Sequence, residues 1–295
     1  MPHTVALVGL GAMGTGVARS LLGAGFTVRG CDIRSEAVEQ LRQIGGVACA
    51  TADGAGSGAD VAVLLVLNAD QVEDVVFGEN GLVHSLVAPA LIVCATTMSP
   101  ARAKALAAHA ETAGLRWLDA PVSGGTQRAA EGTLTSMVGG AAVDLKRAHP
   151  VIQAYSRDVF HLGPVGAGSI AKMVNQVLVY CHLAAAAEAM TLCARLGADG
   201  QSVYEVICTS MGASAIFQSR VPHILDGSYE SGGSLRIALK DLGIVEETAR
   251  ELGMPLPMSA QATQLFRATA ATGIDQDDLV VAKLLARLAG VPDCG

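Results

Sequence analysis

Apolar residues in the first half of the chain follow two alternating patterns. Short continuous apolar runs, typical of strands buried on both faces of a parallel sheet, alternate with stretches whose apolar residues recur at helical spacing. The runs that predict strands lie at residues 4–8, 26–31, 61–67, 91–97, 115–118, 135–138 and 159–162, with a shorter one near Val47. The stretches that predict helices lie at residues 15–24, 35–44, 101–113, 126–130 and 143–152. This order predicts an α/β fold, beginning with an N-terminal Rossmann-type domain built on a parallel sheet.

The pattern changes at Gly163-Pro-Val-Gly-Ala-Gly168, where glycines and a proline interrupt the chain. The segments beyond it predict helices only, at residues 169–196, 203–209, 235–252, 259–271 and 279–288. We therefore predict two domains, residues 1–163 and 164–295, the second all-α. The first of these helices, about 40 Å long at 1.5 Å per residue, is too long for one small domain and is expected to join the two.

A glycine-rich turn directly follows the first predicted strand. The segment Gly9-Leu10-Gly11-Ala12-Met13-Gly14 has the spacing G-x-G-x-x-G and opens a predicted helix. In this context the first glycine permits a tight turn, the second lets the backbone approach a pyrophosphate, and the third allows close helix packing. The context of strand, turn, helix and strand predicts a dinucleotide-binding unit rather than an unrelated glycine turn.

An acidic residue ends the second predicted strand, where the adenosine ribose of a dinucleotide would lie. Asp32 follows Gly14 by 18 residues, with Ile33 and Arg34 directly after it. A carboxylate there can accept hydrogen bonds from both ribose hydroxyls and repels a 2′-phosphate, which favours NAD. Arg34 leaves NADP open, because this cation could meet a phosphate if Asp32 turned away.

Two later strand ends carry further candidate cofactor contacts. Ligands of open parallel sheets bind at the carboxyl ends of the strands, which here bear Leu67, Asn68 and Thr97. The alternative for each is a turn or capping role. Ser99-Pro100 in particular is typical of the start of a helix.

The segment Asp119-Ala-Pro-Val-Ser-Gly-Gly125 follows another predicted strand. Ser123, Gly124 and Gly125 would offer a hydroxyl and several backbone N–H groups, which is what a bound carboxylate requires. An ordinary turn with Ser123 as a helix cap is an equal alternative at this stage.

Polar side chains also lie near the start of the long helix. Lys172, Asn175 and Gln176 share one helical face in an otherwise apolar stretch. A partly desolvated lysine can act as an acid or base near neutral pH, and Asn175 lies one turn away to orient the same substrate oxygen. A solvated lysine is the alternative.

Composition excludes several classes of partner. The net charge of −7 and the absence of a basic cluster argue against nucleic acid. Apolar runs such as Val61–Leu67 are far shorter than the roughly 20 residues needed to cross a bilayer, and no secretory signal precedes the first strand. We expect a cytoplasmic protein that uses no metal, since none of the seven cysteines has zinc-ligand spacing.

The chain resembles the β-hydroxyacid dehydrogenases over essentially its whole length. Four motifs carry the resemblance, in the family's order and spacing: Gly9-Leu-Gly-Ala-Met-Gly14, Asp119-Ala-Pro-Val-Ser-Gly-Gly125, Gly168-Ser-Ile-Ala-Lys-Met-Val-Asn175 and Lys240-Asp-Leu-Gly243. The resemblance implies hydride transfer between NAD and a small hydroxy acid, with Lys172 as catalytic acid/base. It also implies that Ser123, Gly124, Gly125 and Asn175 hold the substrate, and that Thr97 and Lys240 contact NAD. The sequence alone favours a solvated charged pair for Lys240-Asp241.

Within the family, the substrate is the open question. Gln176, which we also expect to contact the substrate, stands where many relatives carry asparagine. Within the family resemblance, less specific motifs imply that the substrate is a four-carbon sugar acid such as L-threonate. 3-Hydroxyisobutyrate and tartronate semialdehyde are the alternative substrates. Rival interpretations are an imine reductase, against which Lys172 argues, and a non-catalytic NAD-responsive binding protein. The alanine-rich segment of the long helix, residues 184–187, favours close helix packing and a homodimer or homotetramer.

Overall fold

The computed structural model describes residues 4–273 and 277–291. The chain folds into two compact units, Met1–Lys172 and Met173–Gly295, with the division inside the long helix. The fold class is the predicted one: an α/β unit followed by a helical unit.

The first unit contains a nine-stranded sheet. Its strands are β1 (Thr4–Val8), β2 (Thr27–Cys31), β3 (Val47–Ala48), β4 (Val61–Leu64), β5 (Leu91–Cys94), β6 (Arg116–Asp119), β7 (Val122–Ser123), β8 (Leu134–Gly140) and β9 (Ser156–Gly163). Its helices are α1 (Ala12–Gly23), α2 (Ser35–Gln43), α3 (Ala52–Gly56), α4 (Ala69–Phe77), α5 (Pro100–Thr112), α6 (Gly125–Ala130) and α7 (Ala142–Tyr155). The sequence analysis did not predict α3, α4 or β7.

The sheet order β3-β2-β1-β4-β5-β6 is that of a dinucleotide-binding fold, and every neighbouring pair in it is parallel. The edge beyond β6 departs from the predicted parallel sheet. There β8 pairs antiparallel with both β6 and β7, while β9 pairs parallel with β8.

The central strands are buried on both faces, as their continuous apolar sequences predict. In β1, Val5 and Leu7 belong to the core on one side of the sheet, and Ala6 and Val8 to the core on the other. The polar groups that could meet a ligand therefore lie at the strand ends.

The second unit continues from the long helix. Its helices are α8 (Ala167–Arg195, which begins in the first unit), α9 (Gly200–Cys208), α10 (Ala215–Leu225), α11 (Leu235–Glu251), α12 (Pro257–Ala271) and α13 (Val280–Ala289). No strand occurs among its described residues. Helix α10 was not predicted, because Pro222 lies inside it. Leu183 and Ala187 of α8 belong to a buried core with Leu242 and Phe266.

Helix α8 alone, among the helices described, is long and apolar enough to cross a bilayer by length and composition. This corrects the expectation that all apolar segments are too short. The core helix of a soluble protein meets the same criterion. Helix α8 buries Lys172 and Gln176 and contributes Leu183 and Ala187 to a core, so part of its surface is covered by the protein itself.

Candidate active site

The glycine turn after β1 has the geometry that a dinucleotide-binding loop requires. Gly9 has a φ of +92°, and a side chain there would lie 2.6 Å from the Leu65 carbonyl oxygen. A Cβ on Gly14 would overlap the Gly9 carbonyl oxygen. A Cβ on Gly11 would have only the Arg34 guanidinium nearby, at 3.7 Å, so Gly11 faces open space. The turn thus leaves its backbone accessible at the position where the motif places a pyrophosphate.

A cleft of about 410 Å³ lies beside this loop at the start of α1. It is lined by Gly11, Ala12, Thr15, Arg19 and Arg34, among others. Backbone N–H groups at a helix N-terminus and the Arg19 guanidinium favour a bound anion, while Arg34 is paired with Asp32 and Glu36 adds one carboxylate to the lining. The residues present therefore fit the pyrophosphate of a dinucleotide.

Asp32 is fixed by the same loop. Its Oδ2 accepts a hydrogen bond from the Leu10 N–H at 2.7 Å, and its Oδ1 accepts from the Arg34 N–H at 2.9 Å and from Arg34 Nε at 3.2 Å. Burial acts to raise the pKa of Asp32, but the hydrogen bonds from Arg34 and Leu10 outweigh it and hold that pKa below its usual value. Asp32 is therefore an acceptor at neutral pH and keeps Arg34 in an ion pair.

The other predicted residues of this end differ in exposure. Leu10 is buried and Met13 is half-buried, whereas Ala12 is exposed and Ile33 is 97% exposed. Ile33 therefore offers an apolar surface directly after Asp32, but the chain itself does not cover it.

At the next strand ends, the capping interpretation accounts for two side chains. Asn68 Oδ1 accepts from the Gln71 N–H at 2.9 Å at the start of α4, while the Leu67 N–H donates to Gln71 Oε1 at 2.9 Å. Ser99 likewise caps α5. Thr97 is half-buried beyond β5, and the adjacent Thr96 hydroxyl donates to the Val66 carbonyl oxygen at 3.0 Å.

The Ser-Gly-Gly segment forms a tight turn between β7 and α6. Ser123 ends β7 and is half-buried, while Gly124 and Gly125 have φ values of +140° and +73°. The N-cap of α6 is Gly124, without a side-chain capping bond, so the alternative of Ser123 as a helix cap is wrong. The Ser123 hydroxyl is thus not engaged in capping α6.

Helix α6 packs tightly on the cofactor helix α1. A Cβ on Gly16 would lie 2.8 Å from the Ala130 nitrogen, and the Ser20 hydroxyl donates to the Ala129 carbonyl oxygen at 3.0 Å. The close approach depends on glycine at position 16. It fixes the Ser123–Gly125 turn relative to the dinucleotide loop.

Asp119 connects the same segment to the helix that carries Lys172. Its Oδ1 accepts from the Gly166 N–H at 2.9 Å and its Oδ2 from the Ser169 N–H at 2.7 Å. Burial raises the pKa of Asp119, against the opposing effect of these two N–H donors. A Cβ on Gly168 would overlap the Met137 carbonyl oxygen, so the start of α8 sits directly against the sheet.

Lys172 lies less than one turn beyond Ser169 and is 9% exposed. The solvated-lysine alternative is therefore wrong. Asn175, half-buried, follows on the same face of α8. The first unit thus joins the dinucleotide loop, the Ser123–Gly125 turn and Lys172 through short, specific contacts.

The second unit contains a buried polar cluster, defined by Gln176, Tyr180, Lys240 and Asp241. Gln176 Nε2 donates to Asp241 Oδ2 at 2.5 Å, and the Tyr180 hydroxyl donates to the same oxygen at 3.4 Å. Lys240 Nζ lies 2.9 Å from Asp241 Oδ1. Asp241 is 2% exposed, so the Lys240–Asp241 pair is not the solvated surface pair that its sequence alone favours.

The sequence alone indicates no role for Gly16 or Asp119, and for Asp241 it indicates only a solvated pair with Lys240. Asp119 and Asp241 both lie inside motifs that carry the family resemblance. Their burial, which distinguishes them from ordinary surface carboxylates, cannot be read from the sequence. No group of three or more His, Cys, Asp or Glu suited to a metal ion occurs within residues 4–273 and 277–291.

Comparison with known families covers both units. A family profile described as the NAD binding domain of 6-phosphogluconate dehydrogenase matches residues 4–163. A second, described as NAD-binding of NADP-dependent 3-hydroxyisobutyrate dehydrogenase, matches residues 166–285. The match extends over the dinucleotide loop, the Ser123–Gly125 turn and Lys172.

Individual relatives match over nearly the whole chain. The L-threonate dehydrogenase of Cupriavidus necator is 45% identical over 284 residues, which cover 95% of this chain and 96% of the relative. The L-threonate dehydrogenase of Escherichia coli K12 is 37% identical, covering 93% of this chain and 91% of the relative. A crystal structure of 3-hydroxyisobutyrate dehydrogenase from Salmonella typhimurium matches with a TM-score of 0.88 at 38% identity, covering 95% of this chain and 99% of that one.

Proposed function

The chain belongs to the β-hydroxyacid dehydrogenase family, and from that premise we propose that it oxidises L-threonate with NAD. That it is an NAD-dependent oxidoreductase of hydroxy acids follows from the family itself. The observation that supports the proposed site most strongly is the junction at Asp119, which links the Ser123–Gly125 turn to the helix bearing the buried Lys172.

In the proposed mechanism Lys172 is the acid/base. NAD, when bound, supplies the acceptor for the hydride that leaves the carbinol carbon. Lys172 Nζ, in its uncharged form, takes the proton of the reacting hydroxyl and returns it in the reverse direction. Ser123 and the backbone N–H groups of Gly124 and Gly125 hold the substrate carboxylate, and Asn175 holds a substrate oxygen.

The proposed cofactor contacts divide by the part of NAD that they meet. The loop from Gly9 to Gly14 binds the pyrophosphate, and Asp32, with Ile33 and Arg34, binds the adenosine ribose. The remaining parts of NAD are contacted by Leu67, Asn68, Thr97 and Lys240. For Asn68 the contact would be compatible with its capping bond, because a carboxamide retains further hydrogen-bonding capacity.

L-threonate is proposed over other acids because relatives of that name reach 45% identity. 3-Hydroxyisobutyrate is the second candidate, since the Salmonella typhimurium structure bears that name. Tartronate semialdehyde is the third. An imine reductase is disfavoured by the buried lysine.

Three properties of the whole protein complete the proposal. We place the functional domain boundary near residue 163, where the first family profile ends. We propose that a second copy of the chain covers the exposed apolar face of α8, formed by Ile170, Val174 and Leu178, so that the enzyme is a homodimer or homotetramer. We also propose that it works in the cytoplasm, without binding membranes or nucleic acid. Light scattering of the purified protein would test the oligomeric state.

The enzymatic test is NAD reduction at 340 nm with L-threonate, 3-hydroxyisobutyrate, D-glycerate and L-serine, each repeated with NADP. Tartronate semialdehyde would be tested in the reverse direction with NADH. Selective oxidation of L-threonate with NAD is the expected result. Preferred turnover of another acid would retain the family and the proposed site but overturn the substrate.

A further inference from the structure

We propose that Gln176 and Asp241 are specificity-determining residues, which orient Asn175 so that it presents a hydrogen-bond acceptor to a non-reacting hydroxyl of the substrate. This inference rests on the proposed function. It predicts the substrate class: acids with a second hydroxyl next to the reacting one are preferred over acids with a methyl group at that place.

Burial and contacts single out these two residues. Gln176 is 5% exposed and Asp241 2% exposed, and they join α8 to α11 through the Gln176 Nε2 to Asp241 Oδ2 bond at 2.5 Å. On its other side, Gln176 Oε1 accepts from Asn175 Nδ2 at 2.9 Å. A continuous chain of hydrogen bonds therefore runs from Asp241 to Asn175.

The direction of these hydrogen bonds is set by the carboxyl group of Asp241, at which the series begins. Asp241 Oδ2 accepts from Gln176 Nε2, so Gln176 turns its NH2 group toward Asp241 and its oxygen toward Asn175. Asn175 must then turn its NH2 group toward Gln176. The oxygen of the Asn175 carboxamide consequently points away from Gln176, where it can accept from a non-reacting hydroxyl. The second N–H of the same amide is left to hold the reacting oxygen beside Lys172.

Two neighbours stabilise this arrangement. Lys240 Nζ lies 2.9 Å from Asp241 Oδ1 and holds the carboxyl group from its other side. Tyr180 places its hydroxyl 3.4 Å from Asp241 Oδ2. Burial, followed by the charges of Asp241 and Asp278, raises the pKa of Tyr180 well above its usual value, so Tyr180 remains a phenol that can donate.

The length of the Gln176 side chain is essential to this series of hydrogen bonds. Asparagine, which is shorter by one methylene or about 1.5 Å, could not keep both the Asp241 and the Asn175 contacts at their present distances. Gln176 thus makes the orientation of the Asn175 carboxamide depend on Asp241, which lies on α11.

The consequence for specificity follows from the cost of an unmatched polar group. A substrate hydroxyl would satisfy the Asn175 oxygen, whereas a methyl group would leave that oxygen without a donor in a partly buried place. The preference should therefore disappear when the chain of hydrogen bonds is broken, even though Asn175 itself is retained.

The test compares kcat/KM for L-threonate and for 3-hydroxyisobutyrate in the wild type, Gln176→Leu, Gln176→Asn and Asp241→Asn. We expect a fall of about 10- to 100-fold for L-threonate and less than about threefold for 3-hydroxyisobutyrate. Gln201→Leu and Glu205→Gln are matched controls, because this exposed glutamine and glutamate on α9 form the same type of hydrogen bond at the surface. Both controls should leave the ratio of the two kcat/KM values unchanged.

Equal losses for both acids would indicate a purely structural role and overturn the inference, as would an unchanged ratio in all three variants. Calorimetric binding of the two acids in the presence of NADH separates this result from failure of the proposed function. If the wild type binds L-threonate more tightly than 3-hydroxyisobutyrate but oxidises neither acid, the proposed activity fails. The inference is then supported if Gln176→Leu loses this preference in affinity, and overturned if the variant keeps it. A wild type that prefers 3-hydroxyisobutyrate, or binds neither acid, overturns the inference.

Discussion

The two units differ in the kind of contact that surrounds their candidate functional residues. In the first, the contacts that matter are largely made by the backbone, at glycines and at N–H groups held by buried carboxylates. In the second, they are made between buried side chains, which include Gln176, Tyr180 and Asp241. A ligand can approach the backbone only at positions that lack a side chain. A network of side chains, in contrast, selects a ligand by which of its atoms donate hydrogen bonds and which accept them.

This difference has a physical basis. A pyrophosphate or a carboxylate is bound well by several N–H groups at one turn, and glycine permits their close approach. A neutral hydroxyl offers less charge, so discrimination between a hydroxyl and a methyl group requires fixed side-chain polarity. The first unit is suited to anionic groups, the second to the recognition of polar detail.

The largest expected effect concerns Lys172, the catalytic side chain proposed in an otherwise backbone-built site. Lys172→Ala should lower kcat by about 10² to 10⁴-fold, the usual contribution of a general acid or base, while NAD affinity stays near that of the wild type. Turnover at 340 nm and NAD binding by calorimetry provide the two measurements.

Lys146→Ala is the matched control, since Lys146 is exposed on α7. It should leave both quantities unchanged. If Lys172→Ala retained full turnover, Lys172 would have no part in the proton transfer, and the site would have to rely on another group.

The second prediction concerns another buried polar side chain of the second unit, Asp278, and the pH dependence of stability that it causes. Burial raises the pKa of Asp278 to about 6, against the opposing charge of Arg220, whose guanidinium lies 4.0 Å away. A carboxyl whose pKa is higher in the folded state binds its proton more tightly there. Asp278 should therefore stabilise the protein below pH 4 and lose that contribution as the pH rises through about 6.

The variant Asp278→Asn removes this titration. The difference in unfolding free energy between variant and wild type should change between pH 4 and 7 by up to about 3 kcal/mol, in favour of the variant at the higher pH. Urea unfolding at a series of pH values measures it. Asp226→Asn serves as the control, because the Ser228 hydrogen bonds lower the pKa of Asp226 and place its titration below this window. A difference that does not vary with pH would contradict the prediction.

The contrast between the units also explains what the sequence could predict. The strand ends and the glycine loop were predictable because apolar runs and glycine spacing record backbone geometry directly. Pro222 hides the helical pattern of α10, and the role of Asn68 as the cap of α4 cannot be told from its sequence position at a strand end. The antiparallel edge at β8 is a pairing between strands distant in the sequence, and no local pattern records it.

Within the site, Asp119 and Asp241 mark the limit of sequence reasoning. Both stood in recognised motifs, yet acidic residues are usually exposed, so nothing local predicts that these two are 2% exposed. Their partners lie 47, 50 and 65 residues away in the chain. Such contacts become visible only when the helices are placed in three dimensions.

The third prediction tests the backbone-built loop of the first unit with a pair of glycine variants. Gly14→Ala should destabilise the protein by about 1–3 kcal/mol, because the new methyl group would overlap the Gly9 carbonyl oxygen. Gly11→Ala should fold normally, since the nearest atom lies 3.7 Å away, but it should weaken NAD binding by filling the approach to the loop. Thermal unfolding and NAD titration distinguish the two, and equal stability losses would contradict this division of roles.

The smallest expected effect concerns the choice between NAD and NADP. In Asp32→Ala the negative charge that repels a 2′-phosphate is gone, and Arg34 is released from the ion pair that holds it at 3.2 Å. The ratio of kcat/KM for NADP to that for NAD should rise by about tenfold, an effect of roughly 1.4 kcal/mol. The double variant Asp32→Ala/Arg34→Ala is the decisive control: the gain should largely vanish if the freed guanidinium supplies the phosphate contact, and should persist if only repulsion was relieved. An unchanged ratio in the single variant would mean that Asp32 does not select the cofactor and that its hydrogen bond to Leu10 serves only to shape the loop.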